Sequence, residues 1–182
     1  MDKAAFIKSV FDPYFEAELS MWASFAEVFT ERAFKKNQLI KEAGRKEEYL
    51  NIIVHGSAGI FLERGMQPVC LDLCYEQDVC CDYMSFLTQA PTPLYTQAFE
   101  PLQLLSVSFQ ALQQMYALSE VGNKIGCLAA EGLYIHKQHQ QIDLLTRTAE
   151  ERYQMLMQKQ PQIILRTPSK HIASFLGITP KA

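Results

Sequence analysis

No stretch of apolar residues in this chain approaches the roughly 18 that a membrane-spanning helix needs, and the opening MDKAAFIKSVFDPYF is too charged and aromatic for a secretory signal. Both absences point to a cytoplasmic protein with no membrane partner. There is no excess of positive charge either. Seventeen basic residues against 20 acidic ones leave a formal charge of -3, which excludes a generally basic surface and confines any nucleic-acid contact to a local patch. The five cysteines, Cys70, Cys74, Cys80, Cys81 and Cys127, include no CxxC pair, which disfavours structural zinc. Their odd number favours free thiols over a disulfide framework. No GxSxG elbow, GxxxxGK phosphate loop or nucleophile–base pair occurs, so no enzyme is expected.

What is present is ample apolar material: 48% of 182 residues, enough for one or two packed cores. Through the first 30 residues Phe6, Val10, Phe15, Leu19, Trp22, Phe25, Ala26 and Phe29 recur at helical intervals, interrupted near Pro13. From about Arg32 to Phe109 the texture changes to short apolar or alternating runs, among them NQLIK, YLNIIVHGSAGIFLE, PVCLDLCY, LYTQAF and LQLLSVS, separated by glycines and prolines. Such spacing predicts a small antiparallel barrel or roll. The intervening DYMSFLTQ lacks a period of two and predicts a short helix over a cavity mouth.

After Ser106 the pattern is helical to the end. FQALQQMYAL predicts one short helix and the stretch from Leu118 to about Leu145 a long one. In the latter, Leu118, Val121, Ile125, Leu128, Gly132, Ile135, His139 and Ile142 follow steps of 3 and 4 in alternation, the seam of a two-stranded coiled coil. The row can pack on the strand domain or on a second copy. An offset row of Gly122, Gly126, Ala129, Ala130 and Leu133 is available for the strand domain, which leaves the heptad row for a homodimer.

Thr148 and Glu151 stand at capping-box spacing, so a new helix, AEERYQMLMQKQ, is expected to begin there and stop before Pro161. Two Thr-Pro pairs follow, Thr167-Pro168 and Thr179-Pro180, each offering an N-cap hydroxyl ahead of a proline. Between them SKHIASFLGI reads as a short helix ending at Gly177, with Ala173 four residues earlier leaving room for a crossing helix. This is helix-turn-helix chemistry, with Thr167, Pro168, Ser169, Lys170, Ala173, Gly177, Thr179, Pro180 and Lys181 as its DNA-binding candidates.

On these residues the chain resembles the Crp/Fnr transcription regulators, and in particular their effector-divergent bacterial members. KKNQLIKEAGRKEEYLNIIVHGSAGIFL is similar to the first strands of the cyclic-nucleotide-binding roll, and AEERYQMLMQKQPQIILRTPSKHIASFLGITPKA to the opening of the winged helix. The resemblance implies an α+β protein with an antiparallel double-stranded β-roll and flanking helices as effector domain in residues 1–115. A dimerisation helix would follow in 116–145, then a partial winged helix in 146–182. It implies a sensor of a small molecule, a homodimer, and DNA as the partner of the full-length protein.

The sequence departs from that pattern in three ways. Members that bind cyclic AMP carry a Gly-Glu pair and an Arg-Ser/Thr-Ala run. Here Cys81-Asp82 and LYTQA (Leu94 to Ala98) stand in their places, with no arginine between Arg64 and Arg147. A buried phosphate without a cation is poorly compensated, so cyclic-nucleotide binding is not expected. The first 69 residues hold no cysteine, which excludes the N-terminal iron–sulfur cluster of other members. Finally, the sequence stops three residues past Thr179, where a recognition helix would have barely begun, so little sequence-specific DNA affinity is expected of it.

Cys80, Cys81, Asp82 and Tyr83, with Thr96 across from them, are the candidate effector pocket. No cofactor is expected beyond an unknown small-molecule effector. The clustered cysteines would suit a thiol switch or soft-metal site, but a free cysteine is also a small buried hydrophobe, the reading preferred here. Cupin-like metal chemistry lacks its histidines, since the strand region holds only His55. His136 and His139 are taken as surface or seam residues, so no metal is expected. The alternative to a transcription regulator is a ligand-sensing or protein-interaction module that never touches DNA. Continuation of the coding frame into a basic helix would favour the regulator.

Overall fold

The computed structural model describes residues 1–65 and 67–178. Helix α1 (Lys3–Phe11) starts at Asp2, whose carboxylate accepts the N–H groups of Ala4 and Ala5, and it ends ahead of Pro13 as the proline break predicted. Helix α2 (Leu19–Ala26) returns across it. Ile7, Val10, Trp22 and Phe25 are buried between them and the strands, with Phe11 stacked on Trp22.

Seven strands follow: β1 (Thr30–Phe34), β2 (Leu39–Lys41), β3 (Tyr49–His55), β4 (Ala58–Leu62), β5 (Val69–Cys74), and, after helix α3 (Tyr83–Thr88), β6 (Leu94–Ala98) and β7 (Leu102–Ser108). They form two antiparallel sheets, in the orders β1-β7-β3 and β2-β6-β4-β5, rather than a closed barrel. The period of two in β7 sets the layering. Leu102 and Leu104 face a core between the sheets with Ile53, Ala58, Ile60, Cys74, Cys80 and Ala98. Leu105 and Val107 face the other way, into a core shared with α1, α2 and helix α4 (Phe109–Leu118). The outer face of the second sheet is covered in its turn: Phe61, Leu73 and Phe99 pack against Ile163, Ile172 and Leu176 from the C-terminal helices. Apolar runs such as NIIV and AGIFL are continuous because each sheet is buried on both sides.

Ser108 caps α4, and Ser119, in extended conformation, separates it from the long helix α5 (Glu120–Thr146) and caps that one too. The capping box predicted at Thr148 and Glu151 opens α6 (Ala149–Lys159). After the single turn of α7 (Ile163–Arg166) comes α8 (Ser169–Phe175). Gly177, at φ +68°, ends α8 in a Schellman motif: its N–H donates to Ser174 and that of Ile178 to Ala173. One expectation fails here. The Thr167 hydroxyl does not cap α8; it is buried in a 2.6 Å hydrogen bond with the Tyr75 hydroxyl, because the helix lies on the sheet and a polar partner there outweighs a cap. The second Thr-Pro pair, Thr179-Pro180, and Lys181 lie outside the described residues.

Candidate functional site

Asp82 stands at the start of α3, where its Oδ1 accepts the Ser85 N–H at 3.1 Å. Its Oδ2 meets the Lys41 ammonium at 2.7 Å, with both side chains almost wholly removed from solvent. Lys41 is delivered by β2, opposite Thr96 of β6, so its side chain turns into the roll. It donates to Thr92 Oγ1 and to the Leu94 carbonyl as well, each at 2.8 Å, which uses all three ammonium protons. Thr92 donates its own proton to Asp82. A buried ion pair tolerates its desolvation only with such secondary hydrogen bonds.

Glu47 adjoins this group. Its carboxyl accepts the N–H of Tyr49 at 3.3 Å and of Asp82 at 3.4 Å, while its own N–H donates to Ser85 Oγ at 2.9 Å. Burial pushes the Glu47 carboxyl from its ordinary 4.5 up to about 7, against the pull of those N–H groups and of Lys41. Thr96 is fully buried beside them, and its hydroxyl has no partner among the described residues.

The five candidate pocket residues do not converge on one surface. Asp82 and Thr96 belong to the interior of the roll, and Cys80 to its apolar core next to Cys74. Cys81 and Tyr83 instead pack with the helical core on the far side of the first sheet, Tyr83 stacking on Phe86, because consecutive residues entering α3 diverge to opposite sides. Lys41, Glu47, Ser85 and Thr92 were not foreseen. The roll does hold a buried cation outside the arginine-free stretch: Lys41 supplies it, already engaged by Asp82. No local spacing could reveal it, since its partners lie 41 and 51 positions along the chain.

Cys70, Cys74, Cys80 and Cys81 are buried, and Cys127 is exposed. Burial raises the thiols of Cys70 and Cys81, and hydrogen bonding to Cys80 together with burial raises that of Cys74. Among the described residues no three His, Cys, Asp or Glu side chains gather as a metal site, and no helix is long and apolar enough to cross a membrane.

The seam on α5 is divided. Ile125 is buried in the core with Trp22 and Phe25, and Gly132 lies against the ring of Tyr14, so these two expected interface residues face the protein's own N-terminal segment. Ile125 meets α2, and Gly132 meets Tyr14 in the connection between α1 and α2. Val121, Ile135 and Ile142 are 40%, 55% and 52% exposed, Leu128 is half-buried and His139 exposed, whereas Leu118, expected to begin this row, ends α4 and is cut off from α5 by the extended Ser119.

At the C-terminus, Pro168, Ser169 and Lys170 are exposed, Ala173 is half-buried, and Thr167 is covered as described. Arg152 of α6 donates to the carbonyls of Leu144 and Arg147 at the end of α5 and of Leu176 after α8, clasping three helices at two carbonyl-rich ends. Arg166 forks onto Glu76 at 2.7 and 2.8 Å and reaches Glu100 at 2.7 and 2.9 Å.

No family profile and no curated protein sequence matches the chain. Solved structures do. FixK2 from Bradyrhizobium japonicum is 19% identical with a TM-score of 0.69, covering 84% of this chain and 79% of its own. A cyclic nucleotide-binding domain from Methylobacillus flagellatus is 15% identical with a TM-score of 0.67, covering 75% and 79%. The N-terminal domain of a transcriptional regulator from Streptomyces coelicolor is 14% identical with a TM-score of 0.58, covering 76% and 95%. The fold is therefore that of a cyclic-nucleotide-binding-like β-roll with flanking helices, continued by a long helix.

Proposed function

We propose that this protein is a transcription regulator of Crp/Fnr type whose roll senses something other than cyclic AMP. The observation that carries the reading is the order of parts: a roll, a long helix with an exposed heptad row, then a capped α6 and an α8 that ends on Gly177. The likeness in fold to FixK2 over 84% of the chain supports it. Lys41 paired with Asp82 supports the second half, since the cation that would neutralise a buried cyclic phosphate is held by the protein's own carboxylate. The exposed row of α5 supports a homodimer, and α6 to α8 the front of a DNA-binding unit in a cytoplasmic protein with no catalytic role. The effector is a small molecule of unspecified chemistry.

Mapping of the DNA bound by the natural protein in its own cell tests this. Discrete sites with twofold-symmetric sequence, their halves about one helical turn apart, are expected. Absence of enriched sites overturns the reading in favour of an interaction module.

A further inference from the structure

We propose that the contact of α7 and α8 with the outer face of the β2-β6-β4-β5 sheet is a latch holding the C-terminal helices against the roll, and that residues 75–82 tie this latch to the buried Lys41–Asp82 pair. Arg166 is its fastening. The guanidinium grips both oxygens of Glu76, and its Nε and one terminal nitrogen share one oxygen of Glu100. Those carboxylates are themselves anchored to the β3–β4 turn, Glu76 by the Gly56 N–H at 2.9 Å and Glu100 by the Ser57 hydroxyl at 2.6 Å. Around it Thr167 meets Tyr75, the Cys70 N–H donates to Ser174 Oγ at 2.9 Å, and the His171 ring stacks on Phe99.

The contact has the character of a separable interface. Its ionic groups remain partly exposed, 22% for Arg166, 35% for Glu76 and 31% for Glu100, so water can replace each of them. The helices it holds are too short to persist unaided. Their buried residues Ile163, Ile172 and Leu176 share the apolar cluster of the sheet, while Leu165 on α7 stays exposed.

The strap runs from this latch to the polar site. Tyr75 and Glu76 hold the C-terminal helices; Gln77 and Asp78 then bond the backbone of Ile53, and Cys80 that of Asn51, all on β3. Asp82 closes the run on Lys41, with its N–H on Glu47. A displacement of Asp82 is thus transmitted along one irregular segment, pinned to β3 by these hydrogen bonds and the Val79–Ile52 bridge, to the residues that grip Arg166. Only the task of the released helices rests on the regulator reading.

Hydrogen exchange on the intact chain tests both parts. Arg166→Gln is expected to speed exchange about tenfold in residues 163–178 and in β5, with β3 and β7 unchanged. Unchanged exchange in 163–178, or an equal rise across the whole chain, overturns the latch. Thr92→Val, milder than loss of Lys41, is expected to produce a smaller rise over the same residues. No rise there overturns the tie through 75–82. Either failure leaves the DNA-site mapping as it stands, and absence of DNA sites leaves the latch as measured.

Discussion

Lys41 and Asp82 face each other at 2.7 Å inside the roll, one from a three-residue strand and the other from the cap of α3. Removing one member of a buried pair strands the other's charge, a cost of about 3–5 kcal/mol. Lys41→Met and Asp82→Ala should each lower unfolding stability in urea by that amount. The double variant should lose less than the sum, because neither charge is then left alone. Strict additivity of the two losses would show that the pair is not coupled.

Glu47 makes stability depend on pH with a definite sign. Its carboxyl titrates at about 7 in the folded protein and at its ordinary 4.5 when unfolded, so between these values the folded state holds the extra proton. Stability is then greatest below pH 4.5 as far as this group is concerned, and declines as pH rises toward 7. Asp78, pushed by burial from 3.8 to about 6, adds to the same slope. Glu47→Gln should flatten the decline in thermal midpoint between pH 5 and 7, whereas an unaltered slope would assign it to other groups.

Much of this architecture was legible because it is periodic or capped. The proline break after α1, the short helix at DYMSFLTQ, the box at Thr148 and Glu151 and the exit at Gly177 all rest on signals within a few residues of one another. The candidate site was not legible, apart from Asp82 and Thr96. Lys41, Glu47 and Thr92 come from separate elements and acquire meaning only when the two sheets close. Thr167 shows the same limit in reverse: its position before Pro168 suited a cap, yet Tyr75, distant in sequence, took the hydroxyl. Likewise Ile125 and Gly132 fit the heptad by spacing and were claimed by α2 and Tyr14, a competition that a single helix cannot display.

The Tyr75–Thr167 contact isolates one hydrogen bond beneath the C-terminal helices. Burial raises the Tyr75 hydroxyl to about 12 despite the opposing bond to Thr167, so it stays protonated throughout the working range. Tyr75→Phe should cost about 1–3 kcal/mol by leaving the Thr167 hydroxyl buried and unpaired. Tyr75→Phe with Thr167→Val should recover most of that loss, since neither side then needs a partner. Equal stability of single and double variants would mean that the site is hydrated instead.

Val121, Leu128, Ile135 and Ile142 recur at intervals of seven along α5, and three of the four are at least 40% exposed. Leu145, 76% exposed, extends the apolar surface at the helix end. A row of this length and spacing is costly to leave in water and fits its own twofold copy, because both helices then present the same seam. Sedimentation at micromolar concentration should therefore report twice the chain mass. Ile135→Asp with Ile142→Asp should yield the single-chain mass while the circular dichroism of the roll persists, since both side chains lie outside the apolar core clusters. A wild-type chain that sediments as a monomer would remove the homodimer from the proposed function, and a dimer that survives both aspartates would move its interface to another surface.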